Sequence, residues 1–212
     1  MAASLEVELK LQAGDEEPLR RLAAVEHLGR FSLGPASTVR ELDRYLDTPD
    51  RRFAAAGWAC RLRERGGSIR ISLKGPAEHH AGDALHRRPE LEGPAGEALD
   101  PGAWQPSAAR DALSDLAAGQ PLVERLALEQ ERTERTVFDG QPLGLLSLDR
   151  VAVRTLDRVR GRFLAVELEL RPGSPGERLA GELLQALQAF GGLQLDPRSK
   201  LERALELLRP HS

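Results

Sequence analysis

The sequence has little of what several protein classes require. Cys60 is its one cysteine, so a disulfide framework and a cysteine-based zinc site are excluded, and we expect Cys60 to be a small buried filler. No apolar run reaches the roughly 18 residues of a membrane-spanning helix, and residues 1–11 are too charged for a signal peptide. A net charge of −3 gives no general attraction to nucleic acid or membranes. These absences predict a cytoplasmic protein whose 212 residues form one domain, residues 1–212.

Lysine is scarce among the basic residues. Of 30 lysines and arginines, only Lys10, Lys74 and Lys200 are lysine, and each of these three lies at the end of a short motif. A lysine ammonium is a compact, strongly hydrated point charge, whereas an arginine guanidinium is a planar fork. We therefore predict that these three positions require an ammonium group, as in a site for a polyanion.

Charged and apolar residues alternate in several segments. Residues 6–10 and 166–170 place carboxylates on one face of a strand and Leu or Val on the other. In residues 68–75, Arg70 and Lys74 share a face opposite Ile71. An open sheet would leave such charged faces in solvent, whereas a closed barrel with helices outside would turn them inward. The alternation alone leaves both arrangements open, and residues 126–138 do not decide between them because Leu126 and Leu128 share a face with Arg132.

Turn and capping signals divide the chain into eight strands and four helices. Gly66-Gly67 predicts a hairpin turn, and Asp15 and Ser107 are candidate helix caps. Residues 93–106 are rich in Gly, Pro and Ala and predict a connection. The predicted strands span residues 5–12, 38–47, 58–65, 68–75, 84–92, 126–138, 142–153 and 160–171, and the predicted helices span residues 15–28, 107–118, 176–190 and 198–208.

A series of motifs resembles one known family. Glu6-x-Glu8-x-Lys10 resembles the ExExK signature of the CYTH domain, the triphosphate tunnel metalloenzymes. The other matching segments follow in the family's order over residues 4–205: Tyr45-Leu46-Asp47-Thr48-Pro49, Trp58-x-x-Arg61-x-Arg63, Ser72-Leu73-Lys74-Gly75, His86-Arg87-Arg88-Pro89-Glu90, Arg132, Leu148-Asp149, Glu167-x-Glu169 and Ser199-Lys200. The resemblance implies an α+β fold, an eight-stranded antiparallel closed β-barrel around a triphosphate tunnel, with helices packed outside.

With the charged faces inside such a tunnel, the acidic residues are candidate metal ligands. Carboxylate oxygens without His or Cys favour Mg²⁺ or Mn²⁺ over zinc, and clustered acids need a cation to neutralise them. The candidate ligands are Glu6, Glu8, Asp149, Glu167 and Glu169. The adjacent His79 and His80 lack a third ligand, so we expect them to be exposed polar residues.

The basic residues are candidate ligands of a linear triphosphate, since arginine forks and lysine point charges both bind phosphate oxygens. The candidate substrate-binding residues are Lys10, Arg61, Arg63, Lys74, Arg88, Arg132 and Lys200. Arg70 lies near a hairpin end and is undecided, Arg65 and Arg87 are expected on the surface, and Arg203 could face a tunnel mouth. Relatives that hydrolyse thiamine triphosphate pair a matching Tyr with a matching Lys, so the resemblance implies catalytic roles for Tyr45 and Lys74, with Glu6 holding the metal.

Within the family, His86-x-Arg88-Pro89-Glu90 and the spacing to Arg132 are most similar to the bacterial inorganic triphosphatases. The resemblance implies a metal-dependent hydrolase that cleaves triphosphate or short polyphosphate to pyrophosphate and phosphate, as a monomer or homodimer. A C-terminal CHAD helical domain accompanies many members of that branch, so one could follow in the full-length protein. The alternatives are a polyphosphate-binding module without catalysis, a thiamine triphosphatase and a class IV adenylate cyclase. We expect neither nucleic acid nor a membrane as a partner.

Overall fold

The computed structural model describes residues 4–77, 85–156 and 158–209, in which strands predominate. The strands are β1 (Ser4–Ala13), β2 (His27–Leu28), β3 (Phe31–Leu33), β4 (Ser37–Asp47), β5 (Ala59–Arg65), β6 (Ser68–Lys74), β7 (Leu85–Pro94), β8 (Val123–Asp139), β9 (Gln141–Thr155), β10 (Arg158–Leu170) and β11 (Leu193–Leu195). The helices are α1 (Glu17–Ala24), α2 (Arg52–Ala55), α3 (Ala108–Ala117), α4 (Pro175–Arg178), α5 (Ala180–Phe190) and α6 (Lys200–Leu207). None of the helices in these described ranges has the length and apolar character needed to cross a lipid bilayer.

Eight of the strands form a closed antiparallel barrel. Their order is β8-β4-β5-β6-β7-β1-β10-β9, and β9 pairs with β8 to complete the ring. The pairs β5–β6 and β9–β10 are hairpins, and Gly66 and Gly67 both have positive φ, as a tight hairpin turn requires. Strands β2 and β3 extend the sheet beside β8, and β11 pairs with one end of β1. The predicted closed barrel of eight strands is confirmed.

Apolar side chains cover the outside of the barrel wherever a helix packs on it. On β1, Val7, Leu9 and Leu11 are buried in one cluster with residues of α1 and α5, such as Leu22 and Leu187. Since strand neighbours point to opposite faces, Glu6, Glu8 and Lys10 must point into the barrel. The charged face of β1 is thus the inner one.

The opposite side of the barrel has its own outer cluster under α2 and α3. Cys60, Leu62 and Ile71 of β5 and β6 pack there against Phe53 and Leu113. Ser107 caps α3 by accepting a hydrogen bond from the Arg110 amide. The expected buried position of Cys60 is confirmed, and desolvation raises the pKa of its thiol.

One end of the barrel is filled from inside by apolar residues beneath α6. The side chains in this cluster are Tyr45, Leu126, Leu128, Val151, Val153, Phe163, Ala165 and Ala204, with Leu201 and Leu208 against them. Leu126 and Leu128 therefore face inward on the same side of β8 as Arg132, as their spacing requires. Their apolar side chains are shielded from water because α6 covers this end of the barrel.

Local chemistry explains where the helices differ from the predicted bounds. The predicted helix 15–28 ends at Ala24, because Val25 is extended and His27–Leu28 pairs with β3. The predicted helix 176–190 divides into α4 and α5 at Leu179. The short elements α2, β2, β3 and β11 were not predicted, since two to four residues carry no periodic signal. His79 and His80 lie outside the described residues.

Candidate active site

A cavity of about 210 Å³ lies inside the barrel, and its lining is mostly charged. Its acidic residues are Glu6, Glu8, Glu90, Glu92, Glu167 and Glu169, its basic residues are Lys10, Arg61, Arg63, Lys74, Arg88, Arg132 and Lys200, and Tyr45, Ala59, Ser147, Ser199 and Leu201 complete it. Acids and bases are thus nearly balanced in number. The described part of the barrel neutralises its inward charges by pairing them with one another.

Glu6 is the centre of one group of ion pairs. Lys74 and the Nε of Arg88 both donate to its carboxylate, and Arg88 Nη2 reaches Glu8 Oε1 at 3.2 Å. Lys10 Nζ lies 3.1 Å from the same Glu8 oxygen. Burial alone would raise the pKa of Glu6, but attraction to Lys74 and Arg88 outweighs it and lowers the pKa from 4.5 to about 2. Glu6 is therefore an anion at every physiological pH.

A second group joins β8, β9, β10 and α6. Arg132 binds Asp149 through a two-pronged contact of 2.7 and 2.9 Å and reaches Glu167 at 3.2 Å. Lys200 lies 2.9 Å from Asp149 and also contacts Glu167. Desolvation would raise the pKa of Glu167, but Lys200 and Arg132 hold it well below its usual range. Lys200 reaches this position because it is the first residue of α6, whose start is fixed by a capping box between Ser199 and Glu202.

Two carboxylates at the cavity are less well compensated. Glu169 is exposed as a residue, but partial desolvation of its carboxylate, with Glu6 and Glu8 nearby, raises its pKa against the opposing effect of Lys74. Burial likewise raises the pKa of Glu90, with Lys74 opposing, and Glu90 Oε1 has no hydrogen-bond partner. Across the described residues, no hydrogen bond or ion pair reaches the Glu169 carboxylate. These oxygens are the ones left to accept a cation or a proton.

Tyr45 is the one aromatic residue among the described residues that line the cavity. Burial, with Asp43 close by, raises the pKa of its phenol to about 12. A phenol with such a pKa stays protonated, so Tyr45 is suited to donate a hydrogen bond to an anion and unsuited to act as a base. Lys74, the predicted partner of Tyr45, instead contacts Glu6 and lies 3.3 Å from Glu90.

The structure brings nearly all of the predicted site residues to one cavity. Asp149 is the exception: both of its oxygens accept from Arg132, its side chain has no exposure, and it lies behind the lining, so its role as a metal ligand stays a prediction. Arg70 is half exposed and lies 3.6 Å from Glu92, but it does not itself line the cavity. Arg87 pairs with Glu177 on the outer face. Arg203 donates to the Leu164 carbonyl and lies over the Phe163 ring.

Arg65 was expected on the surface, but it has the inward orientation of Arg61 and Arg63. Its Nη1 and Nη2 both donate to the Glu134 carboxylate, and Nη1 also lies 2.9 Å from Glu41. Its side chain is 37% exposed, so Arg65 lies at the rim of the barrel. Pairing with two acids explains why an inward arginine is stable there.

Sequence reasoning missed a layer of acids behind the arginines. Glu41 and Asp43 have fully buried side chains and contact Arg61, Arg63 and Arg132. The sequence contained a signal for this layer. Glu41 and Asp43 have the same strand parity as Tyr45, so all three side chains lie on one face of the strand. Glu90 was part of a recognised motif but was assigned no role, and Ser147 had no signal.

Comparison with protein families decides the relationship. The model of the CYTH domain matches residues 4–205. This chain belongs to the CYTH domain family. The match spans all eight barrel strands and the first six residues of α6, so it covers the whole of the cavity described above.

Solved structures share the fold of this CYTH domain at low sequence identity. HpAC1 from Hippeastrum superposes with a TM-score of 0.72 at 18% identity, over 97% of this chain and 98% of the other. A Bacillus halodurans protein described as an adenylate cyclase candidate gives 0.62 at 23% identity, over 96% and 98%. A Pyrococcus horikoshii protein gives 0.57 at 21% identity, over 95% and 98%. No curated protein sequence matches the chain at a significant level.

The oxygen donors of the cavity suit a divalent metal only in part. In the described ranges, no three acidic, His or Cys side chains stand together in a metal-binding arrangement. The Glu169 carboxylate and the Glu90 oxygen, which has an ion pair with Lys74 but no hydrogen bond, nevertheless supply hard oxygen donors beside Glu6 and Glu8. Such oxygens fit Mg²⁺ or Mn²⁺. Binding there requires Glu6 and Glu8 to exchange their lysine and arginine partners for the metal.

Proposed function

We propose that this CYTH domain hydrolyses inorganic triphosphate to pyrophosphate and phosphate in the barrel cavity. The observation that carries the proposal is the composition of the cavity wall: seven cationic side chains and six carboxylates line one space inside a closed barrel. Cations bind phosphate oxygens, and carboxylates could hold a divalent metal, which would withdraw charge from the phosphates. A site that only retained anions would gain nothing from the carboxylates.

The polarity of the cavity favours a small, highly charged substrate. Its lining is mostly charged, which suits a short phosphate chain. Tyr45 is the single aromatic residue of the described lining, and it is buried in an apolar cluster that also contains Phe163. The site thus has no ring pair on which a nucleobase or thiazolium could stack.

Each part of the wall has a proposed role. Arg61, Arg63, Arg88 and Arg132 hold the phosphate oxygens by their forks, and Lys10, Lys74 and Lys200 add point charges that neutralise the leaving pyrophosphate. Tyr45 donates a hydrogen bond to a phosphate oxygen. Glu6, Glu8, Glu167 and Glu169 are the proposed metal ligands, and Mg²⁺ or Mn²⁺ when bound would withdraw charge from the phosphates and lower the pKa of a bound water.

The chemical step replaces one bond at the terminal phosphorus. A water oxygen attacks that phosphorus, the bridging P–O bond breaks, and pyrophosphate leaves with its charge held by the lysines and arginines. The proton of the water passes to a base in the cavity. Glu90 is not among the proposed metal ligands and burial raises its pKa, so it is the carboxylate suited to take the proton.

Relatives with this fold support a triphosphate substrate. The description of HpAC1 reports a dominant triphosphatase activity in a protein first regarded as an adenylyl cyclase candidate. Its identity of 18% transfers the fold alone, so the substrate of the present chain rests on its own cavity.

The test is phosphate release from inorganic triphosphate with Mg²⁺ or Mn²⁺, beside ATP and thiamine triphosphate at equal concentrations. We expect inorganic triphosphate to be hydrolysed fastest and chelation by EDTA to abolish the activity. Glu169→Gln should remove metal-dependent turnover, whereas Glu182→Gln, an exposed acid on α5, should not. Faster turnover of a nucleotide would reassign the substrate, and tight triphosphate binding without any turnover would indicate a binding module.

A further inference from the structure

Two acids stand directly behind the arginine wall of the cavity without lining it. Glu41 and Asp43 lie on β4, and their side chains have no solvent exposure. They are two residues apart on the inward face, in step with Tyr45. A buried carboxylate that never meets the substrate must act through the groups it contacts.

Asp43 accepts hydrogen bonds from side-chain nitrogens that would otherwise be free to donate into the cavity. Arg63 Nε and Nη2 lie 2.6 and 2.7 Å from its two oxygens, and Gln130 Nε2 donates at 2.7 Å. Arg61 Nη1 lies 3.6 Å away. Burial alone would raise the pKa of Asp43, but Arg61 and Arg63 hold it far below its usual range, so Asp43 is an anion at neutral pH.

Glu41 forms ion pairs with the neighbouring arginines in the same way. Its carboxylate lies 3.2 Å from Arg63, 2.9 Å from Arg65 and 3.8 Å from Arg132. Its Oε2 atom is buried and has no hydrogen-bond partner, although it faces these cations. Two negative charges are therefore fixed among arginines that also serve the cavity.

We propose that Asp43 and Glu41 act as fixed counter-charges that weaken anion binding by the arginine wall, so that the pyrophosphate product can leave. The inference rests on the proposed function. An anion in the cavity feels the carboxylates as repulsion, and it must compete with Asp43 for the donors of Arg63. Both effects lower affinity, and they act on substrate and product alike. A wall without them would hold a highly charged product too tightly for rapid turnover.

The experiment measures pyrophosphate and triphosphate binding by calorimetry on the full chain in EDTA, without divalent metal. Asp43→Asn keeps the size of the side chain and removes its charge, and we expect it to bind pyrophosphate at least about tenfold more tightly than the unaltered chain. Asp47→Asn is the matched control. Asp47 lies on the same strand and is equally buried, but it accepts only from the backbone amides of Thr48, Phe53 and Ala54. Its replacement should leave the affinity unchanged.

A gain of affinity separates a counter-charge from a structural role, since a damaged site binds less tightly. Unchanged or weaker pyrophosphate binding by Asp43→Asn, beside an unchanged Asp47→Asn, would overturn the inference. Glu41→Gln is a second variant with the same expected gain, and if neither variant folds, the carboxylates are structural and the inference is wrong. An unaltered chain that binds neither anion, in EDTA or with Mg²⁺ added, would instead contradict the proposed function itself.

Discussion

Lys74 lies between two carboxylates of the cavity, Glu6 and Glu90, and its side chain is 12% exposed. An ammonium fits this gap because it is compact and can turn its three donors to either acid or to a phosphate. An arginine would keep the charge but would place a longer, planar fork in the same space.

We expect Lys74→Arg to lower triphosphate turnover by about a hundredfold, since a displacement of about 1 Å in a crowded site costs roughly that much. Turnover and triphosphate affinity should both be measured for the variant. Arg20→Lys on α1, whose side chain is 65% exposed, is a control for the same exchange in the opposite direction. Near-native turnover by Lys74→Arg would mean that the scarcity of lysine here is an accident of composition.

Glu6 makes a second prediction, on the acid stability of the fold. Its pKa is about 2 in the folded chain against 4.5 for the free side chain, because Lys74 and Arg88 outweigh the effect of burial. A depressed folded pKa stabilises the fold above the unfolded pKa, and this stabilisation is lost as pH falls from about 4.5 to about 2. Glu6→Gln should therefore show a shallower fall of the urea midpoint over this range than the unaltered chain. Identical pH profiles would show that Glu6 is not charged in the folded state, and Glu182→Gln is the exposed control.

Among the secondary-structure elements, α6 has two roles, because it covers the apolar end of the barrel and its first residue enters the cavity. Ala204 is fully buried over Leu126 and Leu128, while Lys200 contacts Glu167 and Asp149. Ser199 fixes where the helix starts by accepting from the Glu202 amide at 3.2 Å. The position of the helix start therefore couples fold stability to the position of a proposed substrate ligand.

We expect Ser199→Ala to lower the free energy of unfolding by about 1 kcal/mol and also to lower triphosphate turnover. Ser107→Ala is the matched control, because Ser107 caps α3 in the same way but α3 packs on the outer face. It should cost similar stability and leave turnover of the folded protein intact. Chemical denaturation and phosphate release measure the two effects. An equal effect of both variants on turnover would show that the α6 cap has no special link to the cavity.

Most of the motif Tyr45-Leu46-Asp47-Thr48-Pro49 builds a turn. Asp47 caps the start of α2, and Arg125 donates to the carbonyls of Thr48 and Pro49. Only Tyr45 of this motif lines the cavity. A segment recognised for its likeness to an enzyme family thus contributes one side chain to the site and otherwise holds β4 against its neighbours.

For the whole molecule, closure of the barrel means that every strand borders the same interior. All eight barrel strands contribute residues to the lining of the cavity, so ligand binding there should stabilise the barrel as one unit. The prediction that residues 1–212 form a single domain stays a prediction.

We expect triphosphate at a hundred times its dissociation constant to stabilise the fold by about 2.7 kcal/mol, with a matching rise in melting temperature. Hydrogen exchange should slow on both halves of the barrel, in β1 as well as in β5. Sulfate at equal ionic strength controls for general effects of anions. Protection confined to two or three adjacent strands would place the anion on the outer surface instead.

The sequence by itself determined the strands and the inward set of charges. Alternation along residues 6–10, 68–74 and 166–170 divides each strand into a charged and an apolar face, because successive side chains point to opposite sides. The order of motifs then identified the family, and with it the closed barrel. Of the predicted ligands, only Asp149 lies behind the cavity wall, where Arg132 takes both of its oxygens.

Only the tertiary structure decided which charges pair and which stay free. Arg65 looks like a surface residue in the sequence, yet closure of the barrel brings it to Glu134, 69 positions further along the chain. Glu41 and Asp43 became a buried layer for the same reason, and Leu126 and Leu128 became an interior cap because α6 returns to cover them. These contacts join residues far apart in sequence, so no local pattern could specify them. Alternation in the sequence predicts which face of a strand a side chain lies on. Its contact partners on that face are set only by closure of the barrel.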